Sequence, residues 1–501
     1  MNKESAAMLT AAALCSVTAG GADAVFVDNV RVPMRDGVTL AADVYLPSNR
    51  TGRVGCLLSF SPYNATGSGK PWNAGRADEW GVATVAVDCR GLCHSEGKFE
   101  PWDPALPDDA ADLLSWIAAQ EWSNGKVVMV GGSYPGATQL ACMRSGHPAL
   151  VACAPSVITF DVHAIHFANG IPMSQFQKSW HVGLAGEASW EELLRHPGSR
   201  DPYWLARADR RDLAKSKARA FYQAGWFDKI GPRFFESFAE MPVGSFLRVG
   251  PWSHGVNTFD KPDIDYSAKG GLVTEDLEID FLRSALEGRE PETAAQPGRI
   301  LYYMMGRDEW RHANEWPPKG GKDTTLFFTD GFGLSTVPAS AAGADSFRYD
   351  PANPVPTRGG RVVHAGGQYE QSDIEARDDV LCYTTEPLAS DMEVVGKVRA
   401  LIKASSTAPV ADVMVKLVDV WPDGRAYNVV DSACRGPFEA GKAATLLFDV
   451  DDTAYAFLAG HRIRIEIAGS CHPHYDLAPE AATNTLHRGG PDGSRITLPT
   501  R

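Results

Sequence analysis

The chain of 501 residues contains no apolar run approaching the ~20 residues needed to span a bilayer as a helix, so no membrane partner is expected. It is short of positive charge. Lys and Arg number 48 against 62 Asp and Glu, and the net charge of −14 argues against a nucleic-acid footprint or an anionic membrane surface. Cysteine is sparse and unpatterned: nine residues, an odd count in a long chain, which argues against a disulfide scaffold. Cys56, Cys142 and Cys153 lie in apolar segments, where cysteine behaves as a small hydrophobe. Cys471-His472-Pro473-His474 has the right residue types for a metal, but no second ligand pair follows at a suitable spacing. It reads as a loop, and neither metal nor organic cofactor is expected. Internal repeats and low-complexity tracts are also missing.

The first 24 residues carry a mildly apolar run, Ala6 to Val17, and a small-residue site, Ala22-Asp23-Ala24. This resembles a weak signal peptide, although Glu4 offsets Lys3. A leader without an export role fits equally, so cytoplasmic and exported locations both stay open. The oligomeric state is open too, with a homodimer as one arrangement.

What the chain does contain is an ordinary soluble mix, 44% hydrophobic and 22% charged, enough for about three domain-sized units. Alternating apolar residues from Val25 to Tyr45, broken at Arg35-Asp36-Gly37, predict a β-hairpin. Val54–Phe60, Val82–Val87 and Val127–Val130 are nearly continuous apolar runs, as in strands buried on both faces of a parallel sheet. A helix is expected from Asp108 to Ala119. Ala218–Ala224 and Ser245–Val249 add two more core strands, and a last core helix runs over 274–287. The fold class is therefore α/β, with a doubly wound core. Between residues 161 and 217 the pattern turns helical and aromatic, as in a cap inserted between core strands. After Pro297 short alternating strands dominate, Ile300–Met304 among them, which indicates a β-sandwich or jelly roll. The expected division is 25–160 and 218–297 for the core, 161–217 for the helical cap and 298–501 for the β-domain. In the strand Arg462–Ile467, Ile463, Ile465 and Ile467 are expected to face one way and Arg462, Arg464 and Glu466 the other.

The chemistry centres on Lys126–Gln139, a strand, a glycine turn carrying Ser133, and a helix. Gly131, Ser133 and Gly136 spell G-x-S-x-x-G, with Pro135 at the last expected glycine of a nucleophile elbow. Asp228 and His254 follow the ends of later core strands, so Ser133, Asp228 and His254 occur in the order of an α/β-hydrolase triad. A serine hydroxyl needs a histidine to take its proton, and the histidine needs a carboxylate to fix its tautomer. The amide of Tyr134 is the expected first oxyanion donor. From the residues alone, Tyr63 is equally a second donor or a packing tyrosine. The cap aromatics Trp180, Phe176 and Phe167 are equally pocket walls or cap packing.

The chain resembles the cocaine esterase and X-Pro dipeptidyl-peptidase family of serine hydrolases from about Val30 onward. The resemblance rests on Val32-Pro33-Met34-Arg35-Asp36-Gly37-Val38, Pro62-Tyr63, Arg90-Gly91 through Ser95-Glu96-Gly97, and Gly131 to Gly136. It continues in Gly225-Trp226-Phe227-Asp228, Gly250-Pro251-Trp252-Ser253-His254, Tyr349-Asp350-Pro351 and Pro422-Asp423-Gly424. It implies an α/β-hydrolase core with an inserted cap and a C-terminal jelly roll. It also implies a triad of Ser133, Asp228 and His254 and an oxyanion hole of Tyr63 with the Tyr134 amide. The implied activity is hydrolysis of a small-molecule ester or amide through an acyl-enzyme. Ser133 and Asp228 lie 95 positions apart (228 − 133), closer than in cocaine esterase, and the shortening falls in the cap, so substrate identity is not implied. An Xaa-Pro dipeptidyl-peptidase, a β-lactam or amino-ester acylase and a non-catalytic binding protein are the alternatives.

Overall fold

A computed structural model describes residues 24–207, 213, 216–230, 233–271, 275–439, 442–490 and 492–501. The leader expectation over 1–24 lies, but for Ala24, outside the described residues.

The chain opens as the expected hairpin. β1 (Val25–Pro33) and β2 (Thr39–Leu46) pair antiparallel, and the Met34 amide closes the turn on the Val38 carbonyl at 2.8 Å. Strands and helices then alternate: β3 (Val54–Ser61), α1 (Ala74–Trp80), β4 (Ala83–Asp88), α2 (Leu106–Ala119), β5 (Ser123–Gly132), α3 (Tyr134–Ser145) and β6 (Leu150–Ser156). α2 carries Pro107 in its first turn and Asp108 and Asp109 at its positive end, and buries Ala110, Leu113, Leu114 and Ile117 on one stripe. After β6 the chain is mostly helical: α4 (Val162–His166), a two-residue ladder of β7 (Phe167–Ala168) and β8 (Ile171–Pro172), then α5 (Ser174–Ala185), α6 (Glu187–Leu194) and α7 (Pro202–Arg207). It returns through β9 (Arg219–Gly225), α8 (Phe234–Ala239), β10 (Phe246–Gly250), α9 (Ser267–Gly270) and α10 (Glu275–Glu287). β11 (Ile300–Met304) and β12 (Glu309–Ala313) follow.

These strands form one ten-stranded sheet in the order β1-β2-β4-β3-β5-β6-β9-β10-β11-β12. The pairs from β4 across to β11 are parallel, and β4 and β10 are buried at every position. Continuous burial is why those segments read as unbroken apolar runs.

The sheet also takes in a strand expected in the β-domain. Ile300–Met304 pairs parallel with β10, and β12 returns antiparallel beside it. All five of its residues are buried, as they are through most of the sandwich strands Val410–Val420 and Ala426–Pro437, so it is the parallel pairing with β10 that assigns it to the core sheet.

The remaining strands, from Lys322–Thr329 to Arg495–Thr500, form the C-terminal β-sandwich. Arg462–Ala468 runs between Val380–Thr384 and Val410–Val420. Its isoleucines are buried on one face, and on the opposite face Glu466 is buried too. Glu466 is 3% exposed and meets Lys416 Nζ at 2.9 Å, under a strap formed by residues 357–371 that also contributes buried Gln371. Period-two alternation reports the pleat, but it is blind to a loop folded over the outer face.

Candidate active site

β5 ends at Gly132 and α3 begins at Tyr134, so Ser133 alone makes the corner, at φ 61° and ψ −128°. A non-glycine residue seldom adopts this backbone, which costs on the order of 1–3 kcal/mol and persists only where the surroundings enforce it. Here they do. The Ser133 amide donates to the Ser156 carbonyl at 2.9 Å, and α3 is buried along nearly its whole length. Gly131 has φ 141°, and a Cβ on it would come within 2.6 Å of Pro135 Cβ. A Cβ on Gly136 would meet Ile158 Cγ2 at 2.9 Å. Gly131 is therefore set by the start of α3 and Gly136 by how closely that helix packs over the end of β6, and Pro135 sits in the first helical turn, where its missing N–H loses no bond.

Asp228 and His254 arrive from the neighbouring strand ends. The loops after β9 and β10 are zipped together: the Trp226 amide donates to Gly250 O at 2.9 Å and the Phe227 amide to Trp252 O at 3.0 Å. Gly225 permits that approach, since a Cβ there would lie 2.4 Å from Trp252 O. The zipper holds the two side chains in register. His254 Nδ1 lies 2.8 Å from Asp228 Oδ1, and His254 Nε2 lies 3.2 Å from Ser133 Oγ. Asp228 Oδ1 also accepts the Ile230 amide at 2.9 Å and is 1% exposed. Burial pulls the His254 pKa down, but the charge of Asp228 and its hydrogen bond outweigh it and leave the imidazole above its ordinary value.

The structure brings Tyr63 to the same point. Tyr63 as a whole is 46% exposed, and its hydroxyl lies near Ser133 and the Tyr134 amide. Burial raises the phenol pKa, so it remains a protonated donor at neutral pH. Trp180, on α5, donates its indole N–H to Tyr63 Oη at 2.9 Å. The indole packs on Tyr134 and Trp102, with ring centroids at 5.5 and 5.4 Å. Tyr134 uses its buried hydroxyl to accept the Trp102 amide at 2.9 Å, which leaves only its backbone N–H, the first of α3, for the cleft. Thr138 Oγ1 donates to Phe60 O at 2.7 Å, fixing α3 to the strand from which the Tyr63 loop departs.

Of the other cap aromatics, Phe176 lies one turn before Trp180 and meets the His364 ring edge-on at 5.6 Å. It is held at φ 62° and ψ −48°, where α5 is broken at its start. Phe167 is different. It is 3% exposed and packs on His163 and Trp204, so packing within the cap is the role the structure supports for it. Two contributors escaped the sequence. His364 comes from the C-terminal strap, 188 positions after Phe176 (364 − 176), with no motif to announce it. The strap also braces the histidine loop: the Gly366 amide donates to Asp260 Oδ2 at 3.1 Å and Tyr369 Oη to Asp260 O at 2.8 Å. A Cβ on Gly366 would lie 2.9 Å from Ser253 Cβ.

Comparisons agree with this architecture. Residues 36–192 match the family model described as X-Pro dipeptidyl-peptidase (S15 family), and residues 292–499 match the X-Pro dipeptidyl-peptidase C-terminal non-catalytic domain. Cocaine esterase of Rhodococcus sp. (strain MB1 Bresler) is 32% identical, over 94% of this chain and 98% of that protein. Among solved structures, an α-amino acid ester hydrolase superposes with a TM-score of 0.78 at 23% identity, over 100% of both chains. An aminopeptidase from a marine sediment archaeon, Thaumarchaeota archaeon, superposes at 0.79 with 24% identity, over 94% of this chain and 96% of that one. These two establish the fold as an α/β hydrolase carrying a β-sandwich. With identity to cocaine esterase running the length of both proteins and both domain models matched, the chain belongs to the cocaine esterase and X-Pro dipeptidyl-peptidase family of serine hydrolases.

Proposed function

We propose that the protein hydrolyses carboxylic esters of small molecules through an acyl-enzyme on Ser133. The observation that carries this reading is the bridge His254 makes, 3.2 Å to Ser133 Oγ and 2.8 Å to Asp228 Oδ1. His254 Nε2 takes the serine proton as Ser133 Oγ attacks the carbonyl carbon. Asp228 holds the ring in the tautomer that leaves Nε2 free and stabilises the imidazolium. The Tyr63 hydroxyl and the Tyr134 amide receive the oxyanion. His254 then protonates the leaving alcohol, and in the second half-reaction it activates water against the acyl-enzyme. Trp180 and Phe176 form the apolar wall of the acyl site, with His364 at its edge.

Ester cleavage is favoured over aminopeptidase activity. A substrate ammonium calls for a carboxylate, and among the described residues the side chains around the Trp180 indole are Tyr63, Trp102, Tyr134 and His181. Because the family model names an X-Pro dipeptidyl-peptidase, the test compares both substrate classes on the purified protein. Aryl acetates and benzoates are expected to turn over and Xaa-Pro anilides to be poor. Ser133→Ala is expected to lose about 10⁴-fold or more in kcat and to stop labelling by a fluorophosphonate. Continued ester turnover at wild-type rate by Ser133→Ala would refute the assignment.

A further inference from the structure

Lys229 follows the triad acid in sequence, but its side chain serves another place. It is 3% exposed, and its Nζ donates to the Met173 and Gln175 carbonyls, both at 2.9 Å, at the broken start of α5. Two bonds leave an ammonium with one donor to spare. Its electrostatic support is a longer-range attraction to Asp476, whose carboxylate is already bonded to the Ser174 amide and hydroxyl.

Lys229 lines a cavity of about 70 Å³ where the cap, the core and the β-sandwich meet, room for roughly five waters. The other cations on its wall are matched. Arg233 meets Asp161 at 3.0 Å, Arg361 pairs with Asp451, and Lys397 meets Glu236 at 2.5 Å and Asp449 at 3.5 Å. Asp449 and Asp451 also line the cavity, each beside its own cation. His474 completes the wall. It is 3% exposed and its Nδ1 has no hydrogen-bond partner. Once the matched pairs cancel, the wall holds one ammonium without a close counter-ion, and behind its surface His474 keeps one ring nitrogen without a partner. Buried groups of both kinds are costly unless something polar answers them. Burial lowers the Lys229 pKa to about 7, as it does where the cation lacks a close anion.

We propose that this cavity binds a small oxyanion, a carboxylate or inorganic phosphate, held by Lys229 Nζ and a protonated Nδ1 of neutral His474. The anion would supply the charge Lys229 lacks and the acceptor His474 lacks. It would also stiffen the Met173–Gln175 turn, from which α5 carries Phe176 and Trp180 to the cleft. The site is distinct from the acyl-transfer centre and does not depend on the reading of Ser133.

The test is thermal unfolding of the full chain while sodium acetate or sodium phosphate is titrated in, with ionic strength held constant by sodium chloride. One or both salts should raise Tm saturably, by about 2–3 °C at a hundredfold excess over Kd. Acetate alone would identify the carboxylate form and phosphate alone the tetrahedral one. The rise should vanish in Lys229→Gln. It should vanish too in Ala164→Leu, which fills the cavity and leaves every charge in place. If Lys229→Gln does not fold, Ala164→Leu decides by itself. A Tm that follows neither salt beyond chloride, or the same rise in wild type and the folded variants, overturns the proposal.

Discussion

Trp180→Phe separates a wall residue from one that tunes the oxyanion hole. The substitution keeps an aromatic ring against Trp102 and Tyr134 but removes the indole N–H that reaches Tyr63 Oη at 2.9 Å. That bond occupies a lone pair of the phenol oxygen, which aims the phenol proton away from the indole, toward the oxyanion, and makes it a better donor. A net hydrogen bond contributes about 1 kcal/mol, so kcat/KM for a small aryl ester should fall about fivefold. Tyr63→Phe removes the donor itself and should cost about 10²- to 10³-fold. The two effects act through one hydroxyl, so they cannot add. In the Tyr63→Phe background, Trp180→Phe should cost at most about twofold. The assay is steady-state kinetics on wild type, both single variants and the double variant, with Tm measured to confirm that each is folded. A fivefold loss that persists undiminished in the Tyr63→Phe background would show that Trp180 acts by contact with substrate or by packing, and the coupling argument would fail.

Asp228→Asn should lower kcat about 10⁴-fold. Since the Asp228 charge and hydrogen bond are what lift His254 above its ordinary value of 6.5, the residual activity should also show its acidic limb at lower pH than wild type. The sign follows from the base having to be neutral: activity falls as pH drops through the His254 pKa, and removing the carboxylate lowers that pKa. A pH–rate profile measures it. Gly366→Val forces a side chain to 2.9 Å from Ser253 Cβ, next to His254, and should lower kcat about tenfold while KM changes little. An unaltered kcat would mean that the strap does not position the histidine. Lys416→Met should destabilise the β-sandwich by about 3–5 kcal/mol, because it leaves the buried Glu466 carboxylate without its partner. Adding Glu466→Leu should recover most of that in denaturant unfolding, and failure to recover would place the cost in packing instead.

Local sequence was enough for the elements whose chemistry is local. The unbroken apolar runs of β3, β4 and β5 follow from burial on both faces, and the stripe on α2 follows from 3.6-residue periodicity. The glycines around Ser133 are readable as well, because a side chain at Gly131 or Gly136 collides within the same strand–turn–helix unit or with the strand beside it. Strand-end placement in the order serine, aspartate, histidine then made the three side chains that meet at 2.8 and 3.2 Å predictable without coordinates. The pattern failed where a decision depended on a distant partner. Ile300–Met304 has the composition of either domain, and only pairing with β10 assigns it to the core. Glu466 looks like a solvent-facing residue until the strap covers it.

The order of the chain by itself determined the doubly wound α/β plan, the turn that carries Ser133 and the identity of the three groups beyond the strand ends, since each is fixed by periodicity, turn sterics or position on a strand. Only the tertiary structure decided that Trp180 bonds Tyr63, that Phe167 packs inside the cap, that His364 of the β-sandwich strap meets Phe176 of the cap, and that Gly366 packs on the loop carrying His254. Apart from the packing of Phe167 on His163 and Trp204, those contacts join residues more than a hundred positions apart, where no periodicity or turn rule correlates one side chain with the other. The closing of the cap, the core and the β-sandwich on one another is what sets them.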